Sequence, residues 1–188
     1  MGRWEPDTRG RLERAAIELY LEQGFDQTTV AQITHRAGLT TRTFFRHFAD
    51  KRDVLFAGRR ELSERVAKTI AAAPPAWSAA RAGASGLNIA AAALQLRREE
   101  AKDRRALIRS TPELRERELL GYAEMAETVA EALTDRGLEQ RAARVTATAL
   151  LAAFQVAFEY WGDHPDRELP QLVNETLDEL KSIAGSDF

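Results

Sequence analysis

The chain has no cysteine, which removes disulfides, thiolate nucleophiles and cysteine-ligated metals, and it fits a reducing compartment. No apolar run approaches the roughly 20 residues that a membrane helix needs. The opening Met-Gly-Arg-Trp-Glu-Pro has no apolar signal core, and Pro6 stands where a myristoylation site has Ser or Thr. Alternating runs of Val, Ile, Thr and Tyr, the mark of strands, are lacking. Histidine occurs three times (His35, His47, His164), without a Glu-x-x-His pair, a Gly-rich phosphate loop or a nucleophile elbow. These absences predict a soluble, cytoplasmic protein that is not an enzyme, does not enter a membrane, and carries neither metal nor cofactor.

What is present is helical. Ala, Leu, Glu and Arg abound, and apolar residues recur at helical spacing almost throughout. The pattern predicts an all-α protein of about nine helices. Its 188 residues suffice for one substantial core plus a small appended unit. Leu12, Ala15, Ala16 and Leu19 mark a first helix over 8–23, stopped by Gly24. Thr29-x-x-Gln32 is a capping box for a second helix ending at Gly38, and Thr40 caps a short third helix over 41–48. A fourth is expected over 51–73, ended by Pro74-Pro75. Further helices are expected over 77–96, 98–110, 112–136, 138–162 and 169–184.

Charge is placed rather than spread. Residues 28–60 hold 7 cations (Arg36, Arg42, Arg46, Lys51, Arg52, Arg59, Arg60) against 2 acids, while the remainder holds 20 against 27. A basic cluster on two short helices joined by Gly38-Leu39-Thr40 is how a helix-turn-helix meets DNA. Such a motif lays the start of its second helix in the major groove. That start is Thr41-Arg42-Thr43. Arg42 can pair with guanine through two hydrogen bonds, and Thr methyl groups can meet thymine methyls. Thr28, Thr29, Thr40, His47 and Lys51 lie near helix ends, where phosphate is gripped.

Residues 8–55 resemble the DNA-binding head of the TetR/AcrR family of bacterial transcriptional regulators. The resemblance rests on Ala15-Ala16-Ile17-Glu18-Leu19-Tyr20, Gly24-Phe25, Thr28-Thr29-Val30, Ile33, Ala37-Gly38-Leu39-Thr40, Thr43-Phe44-Phe45-Arg46-His47-Phe48 and Lys51-Arg52-Asp53-Val54-Leu55. It implies a three-helix DNA-binding domain over 1–55 and a helical ligand-binding and dimerisation domain over 56–188. It also implies a homodimer on a palindromic double-stranded operator. Thr28 or Thr29, His47 and Lys51 match the family's phosphate contacts, and Thr41, Arg42 and Thr43 its base-reading stretch. Phe45 stands where the family often has a tyrosine whose hydroxyl donates to phosphate, which shifts load to Arg46 and His47.

In the body, helix 138–162 bears two apolar stripes. Val145, Ala149, Ala152 and Val156 suit a dimer interface with Leu172 and Leu180 of the last helix. Phe154, Phe158 and Trp161 suit either core or a pocket, with Leu94, Ile108, Tyr122 and Met125 as further inward candidates. Residues 97–109 carry 6 cations against 3 acids, either a solvated face or a cationic pocket mouth. The stretch from Thr111 to Glu124 resembles a TetR subfamily associated with acyl-CoA-like ligands. It implies a small, largely apolar effector that releases a repressor from DNA. The alternative is a helical DNA-binding dimer controlled by a protein partner.

Overall fold

The computed structural model describes residues 7–185, which form nine α-helices and one 3₁₀ turn. The chain divides into two compact units. The first comprises the residues up to Gly58 together with Lys102–Glu118, and the second Arg59–Ala101 and the chain from Leu119 on. The division expected at residue 55 thus falls at Gly58, and a later segment returns to the first unit.

In that first unit α1 is Thr8–Gln23, α2 Val30–Arg36 and α3 Thr41–His47, followed by the 3₁₀ turn Asp53–Phe56. The capping box at Thr29 and Gln32 is formed in both directions, satisfying two backbone donors at the start of α2. Between α2 and α3 the Leu39 N–H reaches back to the Thr34 carbonyl at 2.8 Å, closing the turn. Leu12, Ala16, Ile33, Phe44, Phe48, Val54 and Leu55 fill the core, with Leu107, Ile108 and Leu114 from the returning segment. The continuous helix expected over 51–73 does not form. Gly58 takes φ 82°, a conformation that a Cβ resists, so α4 begins only at Arg59 and runs to Ala72.

The second unit holds α4, α5 (Ala79–Gln95), α8 (Gln140–Asp163) and α9 (Leu169–Gly185). Helices α6 (Arg98–Ser110) and α7 (Pro112–Asp135) contribute residues to both units. Alpha helices α4 and α5 pack closely because Gly86 has no side chain. A Cβ there would stand 2.9 Å from Ile70 Cγ1 and 3.1 Å from the Val66 carbonyl oxygen. Val66, Ile70, Leu87, Leu133, Leu150, Phe154, Phe158, Trp161, Val173 and Leu177 form one buried cluster.

Cations finish the helix ends that sequence caps leave open. Arg136 donates to the carbonyls of Ile70, Ala73 and Pro74 at the end of α4, at 2.7–3.1 Å. Arg98 donates to the carbonyls of Trp161, His164 and Arg167 at the end of α8, at 2.8–2.9 Å, with its guanidinium 4.5 Å from the Trp161 ring. The buried Trp161 indole N–H is taken by Gln95 Oε1 at 2.9 Å, which also accepts from Leu169 N. Among the described residues no buried side-chain nitrogen or oxygen lacks a partner.

Candidate nucleic-acid interface

Helix α3 is held from beneath and bare above. Thr40 caps it, its hydroxyl oxygen accepting the Thr43 N–H at 3.1 Å. Phe44 and Phe48, one turn apart, are buried and fix the inner face. Thr41, Arg42, Phe45, Arg46 and His47 are left exposed on the other, with Thr43 half-buried and its hydroxyl 2.9 Å from that of Thr40. Phe45 is 56% exposed and stands edge-on to Phe44, a large apolar ring open to solvent beside two arginines.

The cation count of the sequence overstates the free charge. Arg36 makes a two-pronged pair with Glu22 at 2.7 Å, and those bonds hold the Glu22 carboxyl below its usual range. Arg52 folds onto Asp50 at 2.8 Å, and Arg60 reaches Glu64 at 3.2 Å. What remains is concentrated on α3. Arg42 meets no acid among the described residues, and Arg46 touches only the His47 ring at 3.4 Å. Partial burial lowers the His47 pKa, and the positive charges of Arg46 and then Arg9 lower it further. The neutral imidazole therefore prevails near pH 7 until an anion arrives. Arg9, on α1, is a residue the sequence reading missed, because nothing in its spacing ties α1 to the end of α3.

Two residues expected at phosphate are occupied otherwise. Thr28 is 1% exposed, and its hydroxyl donates to the Gly24 carbonyl at 2.8 Å, so it closes the α1–α2 turn from inside. Lys51 spends all three ammonium protons on the carbonyls of Phe25, Thr28 and Asp26, at 2.7, 2.9 and 3.2 Å, and lies 4.3 Å from the Phe25 ring centre. Thr29 stays exposed at the start of α2, its hydroxyl engaged with Gln32.

The body candidates separate in the same way. Phe154, Phe158 and Trp161 are buried in a continuous aromatic row, with ring centres 6.4 and 5.6 Å apart. Leu94, Tyr122 and Met125 are half-buried against that cluster. Ile108 is not among them, because it belongs to the core of the first unit. Of the cations of 97–109, Arg98 serves the end of α8. On the other side of α8, Val145 (64%) and Val156 (58%) are exposed with Ala152, and Ala149 is half-buried between them. A shallow groove runs along this face from Glu139 to Ala152. Leu180 is half-buried, whereas Leu172 packs into the body core and does not share the exposed stripe.

Two family profiles match the chain: that of the bacterial regulatory proteins of the tetR family over residues 13–57, and that of the MftR C-terminal domain over residues 85–184. A curated relative, the HTH-type transcriptional regulator TcmR of Streptomyces glaucescens, is 53% identical over 47 residues. That match covers 25% of this chain and 21% of TcmR, so the chain spans only about a fifth of that relative's length. Among solved structures, a TetR-family regulator from Syntrophomonas wolfei aligns with TM-score 0.69 at 14% identity, covering 97% of each chain. Thermus thermophilus FadR, a TetR-family transcriptional repressor solved with lauroyl-CoA, aligns with TM-score 0.56 at 22% identity over 90% of this chain and 91% of its own. At such identities the structures show a shared fold. No helix among the described residues is long and apolar enough to cross a membrane.

Proposed function

The chain belongs to the TetR family of bacterial regulatory proteins, a family of regulators and not of enzymes, and on that footing we propose that it is a ligand-responsive transcriptional repressor acting as a cytoplasmic homodimer on a palindromic operator. The observation that carries this reading is the outer face of α3. Thr41 and Arg42 stand exposed at its start with no acid among the described residues to neutralise Arg42, while neighbouring cations are consumed by Glu22, Asp50 and backbone carbonyls. Two such helices would enter successive major grooves roughly 34–36 Å apart. Arg42 would read a base, and Thr29, Thr40, Arg46 and His47 would hold phosphate, with Phe45 against the sugar. The exposed Val145–Val156 face of α8 supports self-association, since contiguous apolar surface on a soluble chain marks an interface.

The effector is proposed to be small and largely apolar, of the acyl-CoA kind. Half-buried Tyr122 and Met125 beside the aromatic row support this, as does the lauroyl-CoA carried by the Thermus thermophilus neighbour. A gel-shift titration tests the whole. A duplex selected from a random pool should bind far more tightly than random duplex at moderate salt, and lauroyl-CoA should release it. Equal affinity for both duplexes would count decisively against a sequence reader.

A further inference from the structure

The carboxylate of Asp53 has two partners in the first unit. One oxygen accepts the N–H of Ala49 at 2.9 Å, and Ala49 directly follows Phe48, the residue that caps the end of α3. The other oxygen holds the guanidinium of Arg117, from the first part of α7. The Asp53 side chain is 23% exposed and that of Arg117 46%, so the pair is partly shielded from water. Arg117 also faces the Phe56 ring at 5.6 Å, and Arg104 of α6 faces it at 5.4 Å. Arg104 in turn donates to the Leu55 carbonyl at 2.5 Å and reaches Glu118 at 3.5 Å. The 3₁₀ turn after α3 is therefore gripped by one arginine from each of two helices. Both helices continue along the chain into the second unit, at Ala101 and Leu119.

We propose that Arg117, acting through Asp53, is a positioning residue for α3. It fixes the carboxylate that ties down the end of that helix, and so sets how Thr41 and Arg42 are offered to base edges. The inference rests on the DNA-binding reading above. Helix α3 has seven residues, so its exposed start is steered by whatever holds its end. A charge-assisted bond is the stronger kind of hold, and Arg117 orients the acceptor that Ala49 uses. The helix expected over 51–73 is interrupted at Gly58, and the clamp joins the turn after α3 to α7, beside the packing of Leu107, Ile108 and Leu114 in the same core. Base readout depends on that angle, whereas phosphate attraction depends mainly on charge. The two can therefore be separated by experiment.

The test uses the full chain. A duplex is selected from a random pool, and affinity for it and for random duplex is measured by fluorescence anisotropy, with amide exchange at Ala49 followed in parallel. In Arg117→Met and Arg117→Gln the selected-to-random ratio should fall about tenfold, within the range of couplings between residues in one network. Random-duplex affinity should move less than twofold, and the Ala49 amide should exchange faster. Arg117→Lys should keep most of the ratio, and Asp53→Asn combined with Arg117→Met should be no worse than Arg117→Met alone. An unchanged ratio in the folded Met and Gln variants overturns the proposal. So does an equal loss on both duplexes, which would make Arg117 a plain phosphate contact. If the unaltered chain selects no duplex at all, it is the DNA-binding reading that fails, and the proposal with it.

Discussion

Replacing Lys51 by methionine separates a structural lysine from a DNA-contacting one. The thioether keeps the apolar stem but removes three donors. Two of the lost bonds are short and partly buried, to Phe25 and Thr28, and the third, to Asp26, is longer and exposed. A bond from a charged donor contributes about 1.5–3 kcal/mol net, and an exposed cation–π contact about 0.5–1 kcal/mol. Water reaches the freed carbonyls in part, so the low end applies to the two short bonds and little to the third. The expected loss is about 3–4 kcal/mol, confined to the α1–α2 turn and the start of α2. Amide exchange measures it: protection of residues 28–33 should drop by about 100-fold or more, at about 1.4 kcal/mol per tenfold. Salt dependence of operator binding supplies the other half. A true phosphate contact would lower the slope of log K against log salt by about 0.9. Here the slope should stay put while protection is lost. A reduced slope with intact protection would falsify the carbonyl assignment and return Lys51 to the DNA.

Three further outcomes follow from the geometry. Gly86→Ala pushes a methyl into Ile70 and the Val66 backbone, and overpacking of this kind costs about 1–3 kcal/mol, read as a lower denaturation midpoint for the second unit; a midpoint equal to or above that of the parent contradicts the close approach of α4 and α5. His47 starts with a lowered pKa from burial, Arg46 and Arg9, and a phosphate beside it raises that pKa, so binding takes up a proton. Operator affinity should thus climb as pH falls from 8 toward 6 and level off once the free imidazole is itself protonated, and His47→Gln should flatten the curve; a curve unchanged by the substitution removes His47 from the interface. Val145→Asp with Val156→Asp places carboxylates in the exposed face of α8, and sedimentation should then show single chains that still give the parent helical signal; an unaltered dimer moves the interface elsewhere.

The fold was readable from the chain because its cues are local. Thr29 and Thr40 each supply a capping oxygen, and the apolar spacing that marked helices over 138–162 and 169–184 needs no partner to be recognised, the helices forming as Gln140–Asp163 and Leu169–Gly185. The exposed start of α3 was legible for the same reason. Where the expectation failed, the deciding partner lay far off in sequence. Lys51 finds carbonyls 23 to 26 residues back, Arg98 finds the end of α8 63 to 69 residues on, and Ile108 joins a core begun at Leu12. Thr28 is expected at phosphate and is instead a buried tie, a difference set by which way one hydroxyl faces. Gly58 was the exception: a local cue that an otherwise helical run of charges and leucines concealed.

Arg98 sits in the opening turn of α6 and yet completes the closing turn of α8, its planar fork spread over three carbonyls and its face laid on an indole. The two helix ends are therefore yoked. Any rearrangement that slides the root of α6 must either haul the rear of α8 along with it or strand three acceptors without a donor. The opening turn of α6 and the end of α8 thus share one fastening.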